Sequence, residues 1–361
     1  MSALPASSAL STLPVPTARD EGAAGPGFDS AGFLRVLHGA IDIAGGLRPL
    51  VRQLRDQGIS RAFFIGSGGE QLLTLPATDL LRRAGGFPVE ACLAAQVVLA
   101  PPTGLGRSAL AVIPSLSGIA PETLALLAFL KARGVTTLAL TGEAGSPLAL
   151  QADHARINPA TPETLAESVL LQTLGLALAL LAETGRIDDA DPLTEELQRL
   201  PALLVAAKQA YEPEAARRAA TLRDEPYHIV TGAGSVWAVA EHFGMRQLEQ
   251  RLRVRSRPVH AADFFHGALE LVEPGVSIFL LKGEDAARPL SDRVERFAYR
   301  YTDKLWVLDA ARVELPGLSP RLRGLISPVI LASLLERLCA HLEALRATRT
   351  TNAPTTGAKN T

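Results

Sequence analysis

The sequence is poor in the residues that mark several protein classes. Its 361 residues hold two cysteines, two methionines and two tryptophans, and aromatics make up only 5%. Cys92 and Cys339 cannot build a disulfide framework or a multi-cysteine zinc site. That usage suits a reducing, cytoplasmic setting. Neither sign of charge is in excess. Thirty-six basic and 37 acidic side chains leave a net charge of -1, which argues against a general nucleic-acid binder or a polybasic membrane-surface protein. The longest strongly apolar stretch without charge, residues 168–182, has 15 residues and includes Gln172 and Thr173. A bilayer span needs about 20, so the run reads as a buried helix and no membrane partner is expected. Residues 1–28 lack the basic start and unbroken apolar core of a secretory signal. No His-x-x-x-His pair or Asp/Glu cluster has metal-ligand spacing, and no cofactor or metal is expected.

What is present is apolar material in short, regular pieces. The chain is 47% hydrophobic, and its length suits two domains of ordinary size. Strands are predicted over 61–65, 110–114 and 137–140, with helices over 72–84 and 122–132 between them. The plan recurs: strands over 227–231, 276–281 and 305–308, a helix from the 232–235 turn through 249, and another over 291–301. Short apolar strands alternating with amphipathic helices indicate parallel sheets covered on both faces. Gly-x-Gly at 66/68 and 232/234, and Pro-Val at 88/89 and 258/259, mark an internal duplication. The expected organisation is a first domain over 29–195, a second over 212–349, and flexible tails at 1–28 and 350–361. A closing helix over 328–345 packs on a core or on another subunit.

The chemistry-bearing motifs fall at the carboxyl ends of predicted strands, where open parallel sheets bind ligands. Gly66-Ser67-Gly68-Gly69 lets a backbone approach an anion. It completes neither a P-loop nor a dinucleotide fingerprint, and a tight turn without a ligand is the alternative. Ser115-Leu116-Ser117-Gly118 sets two hydroxyls at alternate positions, suited to sugar or phosphate oxygens, unless one merely caps the next helix. The second half has Leu281-Lys282-Gly283 there, so one such site per chain is expected. Among seven histidines, His266 in Asp263-Phe264-Phe265-His266-Gly267 is the candidate for proton transfer. Residues 246–257 carry five arginines and one glutamate, a net +4. That stretch steers an anion, pairs across an interface, or is a solvated face.

Taken together, the Gly-Ser-Gly-Gly turn, Ser-Leu-Ser-Gly followed by Glu122-Thr123, and His260-Ala-Ala-Asp-Phe-Phe-His266-Gly resemble the sugar isomerase (SIS) family over residues 47–345. Glu270-Leu-Val-Glu-Pro-Gly275 and Gly283-Glu-Asp-x-x-Arg-Pro-Leu290 resemble its deglycase branch, which splits phosphorylated Amadori products. The isomerase half of glucosamine-6-phosphate synthase is similar at a greater distance. The resemblance implies an α/β fold of two tandem three-layer α-β-α domains with parallel sheets. It implies a homodimer with sites shared between subunits, and metal-independent acid/base chemistry on a small sugar derivative. It also implies ligand contacts at Ser67, Gly68, Gly69, Ser115, Ser117, Glu167 and Ser168, with His266 acting in ring opening or protonation.

Three positions depart from that pattern. Glu70 stands where the family has a small residue, Ala120 replaces a threonine hydroxyl, and Gln250 occupies the place of the catalytic glutamate, 16 residues before His266. An amide cannot serve as a base. Glu249 is adjacent, about 100° away on an α-helix, and is the substitute candidate. The expected ligand is therefore a sugar or amino-sugar derivative whose phosphate is absent or held differently, with Glu70 toward an amine or hydroxyl. The alternative to an isomerase or deglycase-like enzyme is a degenerate member that binds a sugar derivative as a sensor or scaffold.

Overall fold

The computed structural model describes residues 26–352. The expected tails fall outside that range except at 26–28 and 350–352. Within it lie β1 (Arg61–Gly66), β2 (Val89–Leu93), β3 (Ala109–Pro114), β4 (Thr136–Thr141) and β5 (His154–Ile157), then β6 (Tyr227–Gly232), β7 (Arg255–His260), β8 (Ser277–Lys282) and β9 (Leu305–Asp309). They form two sheets, ordered β2-β1-β3-β4-β5 and β7-β6-β8-β9, and every pairing is parallel. The second order repeats the first strand for strand, short of a fifth. The doubled parallel α/β plan expected from the sequence is what the chain adopts.

Strand period explains the layers. In the first sheet Phe64 and Val112 face Leu50, Leu54, Leu81 and Leu176, on helices Leu47–Asp56, Leu75–Ala84 and Leu165–Glu183. Their neighbours Phe63, Ile65, Ala111 and Ile113 face Val97, Leu126 and Leu130 on the other side. In the second sheet Ile229, Ile278 and Leu280 pack on Val294 and Phe264. The opposite face, through Val230, Phe279 and Leu281, joins a large cluster with Leu170, Leu174, Ile326 and Ile330. Helices Leu165–Glu183 and Pro320–Asn352 therefore form a shared layer between the halves. Both are long and apolar enough to cross a membrane, yet 83% and 89% of their apolar windows are buried inside the protein. They are core helices, as the uncharged run at 168–182 suggested.

The structure also amends the element boundaries. The helix expected over 72–84 is two, Gly68–Leu72 and Leu75–Ala84, with the Thr74 hydroxyl donating to the Gln71 carbonyl at 2.7 Å in the break. The helix through 249 is α-helical over Trp237–His242 and then widens into a π-helical stretch, Phe243–Arg251. Strands β2, β5 and β7 have no counterpart in the expected set. Their sequences, VEACL, HARI and RSRPVH, are polar because each lies at a sheet edge, where half the surface stays wet.

Candidate functional site

The order β2-β1-β3 reverses the chain's direction of travel at β1, and a crevice opens there at the carboxyl ends of β1 and β3. A cleft of about 960 Å³ occupies this place. Its floor is Gly66–Glu70 after β1, and its sides are Leu93–Ala95 after β2 and Leu116, Ala120 and Glu122 after β3. Its roof comes from the second half: His242, Arg246, Gln247, Gln250 and Arg251, all on the helix that widens into the π stretch. Such stretches are rare and concentrate at functional sites.

The floor is tight because the roof sits directly on it. Gly68 has φ 61°, and a β-carbon there would lie 2.8 Å from Cζ of Arg246. A β-carbon on Gly69 would meet the His242 ring at 3.0 Å. Burial, reinforced by the Arg246 charge, lowers the His242 pKa to about 4, so the imidazole at the cleft is neutral at pH 7. Arg246 Nη1 donates to Gln250 Oε1 at 3.0 Å. Arg251 is occupied by Glu343 on the last helix, with Nε at 3.0 Å, and its Nη1 reaches Gln247 Oε1 at 3.3 Å.

Of the site residues drawn from the sequence, the structure gathers Ser67, Gly68, Gly69, Glu70 and Gln250 at this cleft. The others lie elsewhere. Ser115 is buried and its hydroxyl accepts from Gly118 N at 3.3 Å; Ser117 is exposed and accepts from Ile119 N at 3.5 Å. The two hydroxyls expected on one side thus part company, because β3 ends at Pro114 and the loop folds back on itself. Glu249 turns from the cleft: its Oε1 accepts both the backbone N–H and the hydroxyl of Ser256 at 3.1 Å. Glu167 and Ser168 face the shared helical layer. Glu167 accepts from Ser333 at 2.9 Å, and Ser168 receives Asn158 at 2.8 Å and Gln172 at 2.7 Å. His266 is exposed on the turn after β7, outside the cleft of its own chain.

Sequence reasoning missed His242, Gln247 and Glu122 as cleft residues, and named Arg246 and Arg251 only as part of a basic stretch. The spacing of Arg246 from Gln250 was the available signal, since residues four apart share a helical face. The second-half turn has a different fate. Asp285 Oδ2 accepts from Ser235 N at 2.7 Å and Ser235 Oγ at 2.6 Å, and Oδ1 accepts from Ala287 N at 2.9 Å. The chain's own carboxylate fills that turn.

These features define a doubled parallel α/β protein with an open cleft at the switch point of its first sheet. Residues 53–182 match the model of the SIS domain. It is 27% identical to fructosamine deglycase FrlB of Bacillus subtilis (strain 168) over 294 residues, covering 80% of this chain and 89% of that one. Agropine synthesis conjugase of Rhizobium rhizogenes is 28% identical over 235 residues, 63% of this chain and 65% of that protein. A Bacillus subtilis crystal structure, provisionally assigned as a phosphosugar isomerase, superposes with a TM-score of 0.79 at 25% identity, over 89% of this chain and 97% of the other.

Proposed function

We propose that the protein is a cytoplasmic deglycase-like or isomerase-type enzyme acting on a sugar–amine conjugate, phosphorylated or not, by metal-independent proton transfer. The observation that carries this reading is the cleft itself, which brings the glycine turn of one half under a polar helix of the other. The likeness to fructosamine deglycase along most of both chains supports it. In the reading, the conjugate binds in its open-chain form. A proton moves between adjacent sugar carbons through an enaminol, and water then cleaves the carbon–nitrogen bond to give a sugar and a free amine. Glu70 and Glu122 are carboxylates at the cleft, and in this reading Glu70 receives the amine or a hydroxyl. His266 supplies proton transfer from a second copy of the chain, since its own exposed loop lies outside the cleft.

The test is incubation with fructoselysine and with its 6-phosphate, following free lysine by NMR. The wild-type protein should release lysine from at least one, and His266→Ala should lose about 100-fold or more. Full activity in that variant would remove His266 from the chemistry. One observation favours a second reading, a sugar-binding protein without turnover: Gln250 presents an amide, and the adjacent Glu249 is bound to Ser256. Saturable binding of either conjugate with no consumption over hours would select it.

A further inference from the structure

The two glycine turns share a backbone, and the chain fills them with opposite charges. Gly68 and Gly234 have φ values of 61° and 62°. Above Gly234, a β-carbon would lie 2.5 Å from both oxygens of the Asp285 carboxylate; above Gly68 it would lie 2.8 Å from the guanidinium carbon of Arg246. The second half therefore displays what this turn holds when it is complete: an oxyanion on the N–H that follows the glycine. In the first half that N–H belongs to Gly69. Among the described residues no carboxylate bonds to it, and none bonds to Arg246.

Arg246 is under-used by its own chain. Nη1 goes to the Gln250 amide, Nε is buried without a partner, and Nη2 has no hydrogen-bond partner among the described residues. The buried Nε bears a desolvation cost for having no partner, and Nη2 is free to take one; an oxyanion is the strongest partner such donors find. Gln250 fits the same logic. Its neutral oxygen orients the guanidinium and leaves the charge unspent, whereas a glutamate there would neutralise it.

We propose that Arg246 is the specificity-determining residue of the cleft, holding a substrate oxyanion, carboxylate or phosphate, against the Gly68–Gly69 turn where Asp285 sits in the other half. This rests on the reading of the cleft as a sugar–amine site and names the group that the site selects. The substitution of Gln250 for the glutamate expected by resemblance follows as part of the same device.

Three conjugates separate the sources of the anion: fructosylglycine carries a carboxylate, fructosylethanolamine 6-phosphate carries a phosphate, and fructosylethanolamine carries neither. Calorimetric affinities are measured for the full chain, for Arg246→Met and Arg246→Lys, and for Gln250→Glu. The wild type should bind at least one anionic conjugate about tenfold or more tighter than the neutral one, and the preferred anion identifies the source. Arg246→Met and Gln250→Glu should erase that preference, with the anionic conjugates losing about tenfold more affinity than the neutral one, while Arg246→Lys, which keeps the charge, should retain part of it. A preference that survives Arg246→Met, or an equal loss on all three compounds, overturns the proposal. If the wild type binds no conjugate, the functional reading fails. Titration with inorganic phosphate and acetate then judges Arg246 alone: binding lost in Arg246→Met sustains it, and equal or absent binding overturns it.

Discussion

Replacing Lys208 by methionine tests the charge network that ties the two halves together. Lys208 lies on helix Leu200–Leu222 with 1% of its side chain exposed. Its ammonium is 2.8 Å from Glu336 on the last helix and 3.9 Å from Glu167 on helix Leu165–Glu183. It also stands 4.3 Å over the Phe33 ring and 5.0 Å over Phe28. Glu167 has one oxygen on Ser333 and the other buried without a partner, and burial holds its pKa above the usual carboxylate value against the pull of Lys208. Removing one member of a buried pair costs about 3–5 kcal/mol. The lower end applies, because Glu167 can take up a proton and Arg337 remains 3.8 Å from Glu336. Against a total stability of about 5–15 kcal/mol, a loss of about 3 kcal/mol is easily read from urea unfolding followed by circular dichroism. Its pH dependence carries the sign. Without the ammonium the pull that lowers the Glu167 carboxyl is gone, and burial holds it still further above its usual value in the folded state. The deficit should therefore widen as pH rises above about 4.5. The triple variant Lys208→Met, Glu167→Gln, Glu336→Gln should return to within about 1 kcal/mol of the wild type. A single-variant loss below about 1 kcal/mol, or one that does not change between pH 5 and 8, refutes the electrostatic reasoning.

Acid sensitivity should begin with histidines rather than carboxylates. Burial lowers both His228 and His242 to about 4, while an unfolded imidazole protonates near 6.5. The unfolded chain therefore binds more protons between those values, and stability should fall as pH drops through that window, by up to roughly 3 kcal/mol per ring. Thermal midpoints from pH 8 to 4 should flatten in His242→Gln, and an unchanged slope would count against a neutral buried ring. The glycine pair should respond unequally. Gly68→Ala meets the end of a flexible arginine and should cost about 1–2 kcal/mol for its left-handed backbone. Gly234→Ala meets a carboxylate fixed by three hydrogen bonds and should cost more. Equal urea midpoints for the two would show that the Asp285 contact is not rigid.

Buried strands were legible because burial on both faces writes them as apolar runs: FFIG, LAVIP and IFLLK need no other signal. Edge strand β7 was hidden for the converse reason. Arg255, Arg257 and Pro258 suit a strand with one bonded edge, and in a linear reading they merge with Arg246, Arg251 and Arg253 into one basic stretch. The structure divides that stretch, sending Arg246 and Arg251 to the cleft and Arg255 and Arg257 to exposed positions on the strand. The glycine turn was legible as a turn at the strand's carboxyl end because its backbone needs are local. The roof was not, because it depends on which face a π-wound helix presents, and α-helical geometry could not tell how Glu249 and Gln250 divide.

That division follows from the duplication itself. The helix that roofs the cleft begins at the second glycine turn, and Asp285 pins that beginning through the Ser235 N–H and hydroxyl. Helix Trp237–His242 then passes over helix Gly68–Leu72, with His242 against Gly69 and Arg246 over Gly68. Beyond it, Glu249 is anchored to Ser256 on β7, which fixes the rotation that leaves Gln250 at the cleft beside Arg246. One copy of the turn is thus filled by the chain's own carboxylate and becomes the mount for a helix, and that helix closes over the cleft at the other copy. A chain built this way needs two turns to make one cleft, which is why the Gly-x-Gly pair recurs while the cleft-facing residues around it do not.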